Sequence, residues 1–196
     1  MVKPVAQLLN QTSDSESASK LIQGALPAAE ALARLPDAGV AGERILGEFY
    51  NLLAILASKR DLNQALVYAR HGIDIFSGLA ERQPDHADFV FEQDGYALLG
   101  KILNQHGDSR GSLEQFLRCA ELREALVKSR PNDVVYKRNL MISYGHVGDQ
   151  LGSPVMFSLG DSAGARVYYR KAVAIGEEIY NADPNASWRT SSHLTI

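Results

Sequence analysis

The chain is predicted to be all-α, a solenoid of antiparallel helix hairpins, and three observations predict it. Three stretches close on the same kind of ending: Glu81-Arg-Gln-Pro84-Asp, Lys128-Ser-Arg-Pro131-Asn-Asp and Tyr180-Asn-Ala-Asp-Pro184-Asn. Their prolines stand 47 and 53 residues apart, and Pro36-Asp37 lies a further 48 residues before Pro84. A period of this size implies units that bury their apolar faces only against their neighbours. Between the prolines, apolar residues recur at i, i+3, i+4 and i+7, in two amphipathic stripes to a period. Signals for strands are weak: there is no long period-two alternation and no Asn-Gly hairpin turn.

Residues 1–12 read as a flexible lead, and residues 13–196 as a single helical-repeat domain. Its full units cover about 41–84, 85–131 and 132–184, with partial units at 13–40 and 185–196. In the first partial unit, Ala18 to Leu35 reads as a helix interrupted by Pro27. The first full unit has one stripe on Phe49, Leu52, Leu53 and Leu56, a break at Arg60-Asp61, and a second stripe on Leu62, Ala65, Leu66, Ala69, Ile73 and Phe76. The second runs through Tyr96, Leu99, Gly100 and Leu103 to a turn at Gly107-Asp108, then Leu113, Phe116, Leu117, Ala120 and Leu126. Gly107 can adopt the left-handed conformation that ends a helix, and Asp108 or Ser109 can cap the next one. The third unit repeats the plan from Tyr144, Val147, Gly148 and Leu151 through Gly160-Asp161 to Ala165, Tyr169, Ala172, Ile175 and Ile179. Proline closes each second helix because it disfavours helical geometry in the residue before it and donates no backbone bond. Four or five residues later stand Phe89, Tyr136 and Trp188, each expected to plug the joint between adjacent units. Trp188 to Ile196 begins a further first helix, so the chain is expected to be a piece of a longer array, with an amphipathic terminal cap as the alternative.

Composition narrows the function classes. With 45% hydrophobic and 22% charged residues, the 196-residue chain has the mass for a sizeable core, and a net charge of −3 gives no electrostatic footprint for nucleic acid. No apolar run approaches the roughly 20 residues of a membrane span, and the first residues lack the apolar core of a secretory signal, so a cytoplasmic protein without membrane insertion is expected. Cys119 is the single cysteine and is assigned to packing. His71, His86, His106, His146 and His193 fall in different elements without metal-ligand spacing. No catalytic, metal-binding or cofactor-binding residue is assigned, and no enzyme activity is expected.

Tyr96-x2-Leu99-Gly100-x2-Leu103, Gly107-Asp108, Ser112-x3-Phe116 and Pro131 resemble the tetratricopeptide repeat, as do Tyr144-x2-Val147-Gly148-x2-Leu151, Gly160-Asp161, Ala165-x3-Tyr169, Ala172 and Pro184. Small residues belong at Gly100, Gly148, Ser112 and Ala165, where the helices of a hairpin approach closely. The first unit departs from the pattern, with Leu53 at the glycine position and Ala69 at the second aromatic. The usual repeat has about 34 residues. The extra length here falls mainly in the second helices, each measuring 19 residues from Ala65, Ser112 or Ala165 to its closing proline. HEAT and armadillo repeats share the longer period but lack the Leu-Gly and Gly-Asp placements. The wording of the third unit, Ser143-Tyr-Gly-His-Val-Gly-Asp149 with Gly160-Asp-Ser-Ala-Gly-Ala-Arg166, is similar to long repeats found behind bacterial serine/threonine kinase domains. No kinase motif is present in this chain.

The resemblance implies a right-handed superhelix whose first helices line a concave groove for a protein or peptide partner. Its groove positions fall on Tyr50, Ala54, Ala57, Ser58, Asp94, Ala97, Lys101, Asn104, Gln105, Ile142, Gly145 and Asp149, of which Tyr50, Asp94, Lys101, Asn104, Gln105 and Asp149 are the candidate partner-binding set. Only Lys101 and Asn104 are shared in type with the clamp that holds chaperone carboxyl termini. Between Gly148 and Gly160 the third unit carries five more residues than the second, and its apolar Val155, Met156 and Phe157 are a candidate contact loop at the hairpin tip. The expected function is a binding scaffold within a larger kinase-associated signalling protein. Self-association through residues 188–196 and small-ligand sensing in the groove are the alternatives.

Overall fold

A computed structural model describes residues 15–35, 38–82, 89–153 and 157–182. Among them are seven helices and no strand: α1 Ser15–Ala33, α2 Gly39–Ala57, α3 Leu62–Arg82, α4 Phe89–Gln105, α5 Ser109–Ser129, α6 Val134–Gly152 and α7 Ser162–Ala182. The all-α class is therefore as the apolar periodicity predicts. The three second helices, α3, α5 and α7, are each 21 residues, about 31 Å at 1.5 Å per residue. The chain divides into two compact units, Met1–Cys119 and Ala120–Ile196, with the division falling inside α5. The predicted lead at 1–12, the partial unit at 185–196, the prolines 36, 84 and 184, and Trp188 lie outside the described residues.

Turn chemistry sets the hairpins. At the end of α4, Gly107 has φ +85°, Asp108 N–H donates to the Leu103 carbonyl at 2.9 Å and Gly107 N–H to that of Asn104 at 3.0 Å, the paired closure of a Schellman motif. Asp108 then caps α5 by accepting from Gly111 N–H at 2.8 Å. Asp161 caps α7 through Gly164 N–H at 2.8 Å, after Gly160 at φ +79°. Asp61 caps α3 through Gln64 N–H at 3.0 Å. Pro131 lies in the turn after α5, and Asp133 caps α6 through Val135 and Tyr136 N–H groups at 2.9 and 3.2 Å. In each case a side-chain oxygen takes up a backbone donor that the first helical turn leaves unpaired.

Pro27 does not interrupt the first helix, which runs unbroken from Ser15 to Ala33. Proline removes one backbone bond. Ile22 and Ala29, on either side of it, are buried, and Ile22 packs with Leu53 and Leu56 of α2. Tertiary burial on both flanks outweighs the local cost.

In the first unit, Ala54, Ala65, Ala69 and Ile73 pack with Leu99, Ile102 and Leu103, joining α2, α3 and α4. Small residues set the hairpin spacing. A Cβ placed on Gly100 would lie 3.1 Å from the Phe116 ring, and Ser112 Oγ donates to the Gly100 carbonyl at 2.7 Å. In the second unit a Cβ on Gly148 would lie 2.7 Å from the Tyr169 ring, and Ala165 is buried. The α2/α3 hairpin reverses the sizes, with Leu53 on the first helix and Ala69 on the second, both buried. Its glycine-on-aromatic contact is made farther from the tip, where a Cβ on Gly47 would lie 2.7 Å from the Phe76 ring. Arg82 pairs with Glu43 at the open end of this hairpin, and Lys137 pairs with Glu178 at 3.0 Å in the α6/α7 hairpin. Cys119, in α5, is buried and not in a disulfide.

Candidate functional site

The predicted groove residues divide by environment. On α4, Asp94, Lys101 and Gln105 are exposed, and their spacings of seven and four residues place them on one face. Asn104 is half-buried, with Oδ1 shielded from solvent and accepting no hydrogen bond among the described residues. Asp149, on α6 in the second unit, accepts a hydrogen bond from Tyr169 Oη at 2.8 Å. Burial raises the Tyr169 hydroxyl, and the bond and charge of Asp149 raise it further, to about 12. Tyr50 is half-buried on α2, and its hydroxyl donates to Glu30 Oε1 of α1 at 3.0 Å.

Tyr50 belongs to a cluster that the spacing analysis did not single out. Its ring centroid is 6.2 Å from that of Tyr68 and 5.1 Å from that of His71, both on α3. The second unit builds the same arrangement from equivalent positions. Tyr144 of α6 donates to Glu124 of α5 at 2.6 Å and packs 5.9 Å from Tyr168 of α7. Lys171 takes the position of His71, with Nζ 5.0 Å from the Tyr144 ring and 4.9 Å from that of Tyr168. The cation therefore lies within range of two negative ring faces. Burial, then the hydrogen bond to the neighbouring glutamate, raises both the Tyr50 and the Tyr144 hydroxyls. The signal in the sequence is the shared separation of 20 residues between carboxylate and tyrosine, Glu30 to Tyr50 and Glu124 to Tyr144. Each cluster ties three successive helices together.

At the tip of α6/α7, Leu159 N–H donates to the Gln150 carbonyl at 2.9 Å and Asp161 N–H to that of Leu151 at 2.7 Å. The returning loop thus satisfies carbonyls left open at the end of α6. It passes so close that a Cβ on Gly152 would lie 2.9 Å from the Asp161 carbonyl oxygen. Phe157 projects from this loop at 82% exposure, whereas Val155 and Met156 lie outside the described residues. Tyr136, one of the predicted joint plugs, is buried beside the Arg130 guanidinium, 5.8 Å from its ring. The side chain of Phe89 and all of Trp188 are outside the described part.

Among the described residues no group of three or more His, Cys, Asp or Glu side chains is placed to hold a metal ion. No helix among them is long and apolar enough to cross a membrane. Comparison with protein-family models, with curated proteins and with solved structures found no match to this chain. What the described surface offers is a mixed-charge stripe on α4 and one exposed aromatic at a hairpin tip, supported by helices joined through partly buried tyrosine–carboxylate pairs.

Proposed function

We propose that the chain is a tetratricopeptide-like scaffold, a right-handed array of long helix hairpins that binds a protein or peptide partner and performs no chemistry of its own. The observation that carries this reading is the recurrence of one hairpin joint. A glycine of the first helix meets an aromatic ring of the second at Gly100/Phe116 and at Gly148/Tyr169, with a Gly-Asp turn closing each hairpin. Repeated joints of this kind build extended binding surfaces by stacking. Asp94, Lys101 and Gln105 are the partner-facing residues, and the α4 face favours a polar, salt-sensitive ligand because both charge signs stand exposed on it at Asp94 and Lys101. Such a module fits the docking portion of a bacterial kinase-associated signalling protein.

Capture from a bacterial lysate on the immobilised full chain tests the reading, with wild type set against the Asp94→Lys, Lys101→Glu double variant. A protein retained by wild type and lost by the variant, at equal helicity, is the expected result. Equal retention by both, or by neither, counts against the α4 face as the binding surface.

A further inference from the structure

Each unit carries one cluster of two tyrosines and a glutamate, and the two clusters are built to a common register. Tyr50 stands 20 residues after Glu30, as Tyr144 does after Glu124. Tyr68 and His71 are three apart on α3, as Tyr168 and Lys171 are on α7, so each pair shares a helix face. The rings meet at similar distances, 6.2 Å between Tyr50 and Tyr68 and 5.9 Å between Tyr144 and Tyr168. The clusters differ at one place. The second unit supplies an ammonium there, that of Lys171, and the first supplies the imidazole of His71.

The second unit shows what such a ring pair holds. Lys171 Nζ lies 5.0 and 4.9 Å from the two ring centroids, within the range at which a ring face attracts a cation. Tyr50 and Tyr144 both donate to a glutamate, and a hydrogen bond to an anion polarises the phenol so that its ring face becomes more negative. The first unit keeps these attractions and adds a third ring, His71, tilted by 34° to Tyr50. It also leaves them within reach of solvent. Tyr144 is 7% exposed, whereas Tyr50 and Tyr68 are half-buried and His71 is exposed. Arg34 of α1 lies 4.0 Å from the Glu30 carboxylate, but its side chain is 80% exposed and water screens that pair.

We propose that Tyr50, Tyr68 and His71, backed by Glu30, form a recognition site for the ammonium of a lysine in the partner, the group that Lys171 supplies in the second unit. The inference rests on the scaffold reading above and names a chemistry for its ligand. The lysine carbon chain lies along the rings, and the ammonium keeps water on its outer side, as exposed Lys171 does, so that binding requires no full desolvation of the charge.

The probe is the peptide acetyl-Gly-Lys-Gly-amide, titrated into the full chain while the ring resonances of Tyr50, Tyr68, Tyr144 and Tyr168 are followed by nuclear magnetic resonance. Saturable shifts are expected at Tyr50 and Tyr68, with none from the same peptide acetylated on its lysine. Tyr144 and Tyr168, already served by Lys171, should stay unmoved. His71→Lys gives the first unit an ammonium of its own and should weaken binding at least about fivefold at unchanged helicity. Glu30→Gln keeps an acceptor for Tyr50, removes the charge and should also weaken it, so a His71→Lys chain that fails to fold leaves a second variant to decide. Wild-type shifts that are absent, equal for the two peptides, equal at all four tyrosines, or undiminished in the folded variants overturn the proposal. Lysate capture by the α4 face is scored separately. Capture without a lysine response rejects the cation site and leaves the scaffold reading standing; a lysine response without capture supports the cation site and counts against the α4 face.

Discussion

In the first unit the ring of Tyr50 stands between the Glu30 carboxylate and the imidazole of His71; in the second, Tyr144 stands between Glu124 and the ammonium of Lys171. The hydroxyl-to-carboxylate bond is the same in both, and the position on the far side of the ring is filled by different chemistry, an imidazole in one and an ammonium in the other. The hairpin joints vary in a parallel way. Leu53 and Ala69 carry, in reversed order, the large and small roles that Gly148 and Tyr169 hold in the second unit. What the two units share is therefore a donor–acceptor pairing and a filled joint volume, and residue type is free to change where those two are met.

The largest effect is expected where the first hairpin makes its own ring-on-glycine contact. Phe76 is 1% exposed, and Phe76→Ala should cost about 3–5 kcal/mol by removing a buried ring whose site on Gly47 cannot collapse. Urea unfolding with an unchanged m-value checks it, and a loss below about 1 kcal/mol would show that the joint is not set by this ring.

Next comes overpacking of the second hairpin. Gly148→Leu places a Cβ 2.7 Å from the Tyr169 ring and should destabilise by about 1–3 kcal/mol. Combining it with Tyr169→Ala, which copies the Leu53/Ala69 order, should recover part of that loss. No recovery in the double variant would mean that volume reversal is not what lets the first hairpin accept Leu53.

The hydroxyl-to-carboxylate bonds give a smaller, pH-dependent effect. Tyr50, Tyr144 and Tyr169 are all raised in the fold, so the neutral phenol is the form that folding holds. In the unfolded chain tyrosine ionises near pH 10. Above that pH the unfolded state binds fewer protons, so stability is full below about pH 10 and falls as pH rises toward about 12, the value for Tyr169. Changing Tyr144 and Tyr169 to Phe should cost about 1 kcal/mol each at neutral pH and flatten the alkaline fall. An equally steep fall in the double variant would place its origin elsewhere.

The smallest effect separates the two clusters directly. Lys171→Met should cost about 0.5 kcal/mol, because the ammonium is exposed and contributes mainly through the two rings. His71→Met should cost less, because it removes a ring contact with Tyr50 at 5.1 Å and no ammonium. Thermal unfolding of the pair measures the difference, and equal costs would show that the charge over the rings does not matter.

Local chemistry made much of the fold legible. Gly107 with Asp108 and Gly160 with Asp161 could be placed as helix stop and start because glycine's left-handed conformation and aspartate's capping oxygen act within a few residues. The small positions Gly100, Ser112, Gly148 and Ala165 were legible for the same reason, since the repeat fixes which side chains face each other. Pro27 was misread as an interruption because the burial of Ile22 and Ala29, which holds its helix, is a tertiary effect. The tyrosine clusters were missed because a Glu and a Tyr 20 residues apart look unrelated until three helices are packed side by side. Among the candidate binding residues, the pattern identified the exposed stripe on α4. It did not show that Tyr50 and Asp149 spend their polar atoms holding helices together.

Cys119 has a kinetic consequence. It is the sole thiol, 1% exposed within α5. A thiol reagent reaches it only when the surrounding helices part, so under native conditions its rate of modification is a clock for that opening. Where reclosing outpaces the reagent, the clock reads how often the opened form is populated; where the reagent is faster, it reads the opening step itself.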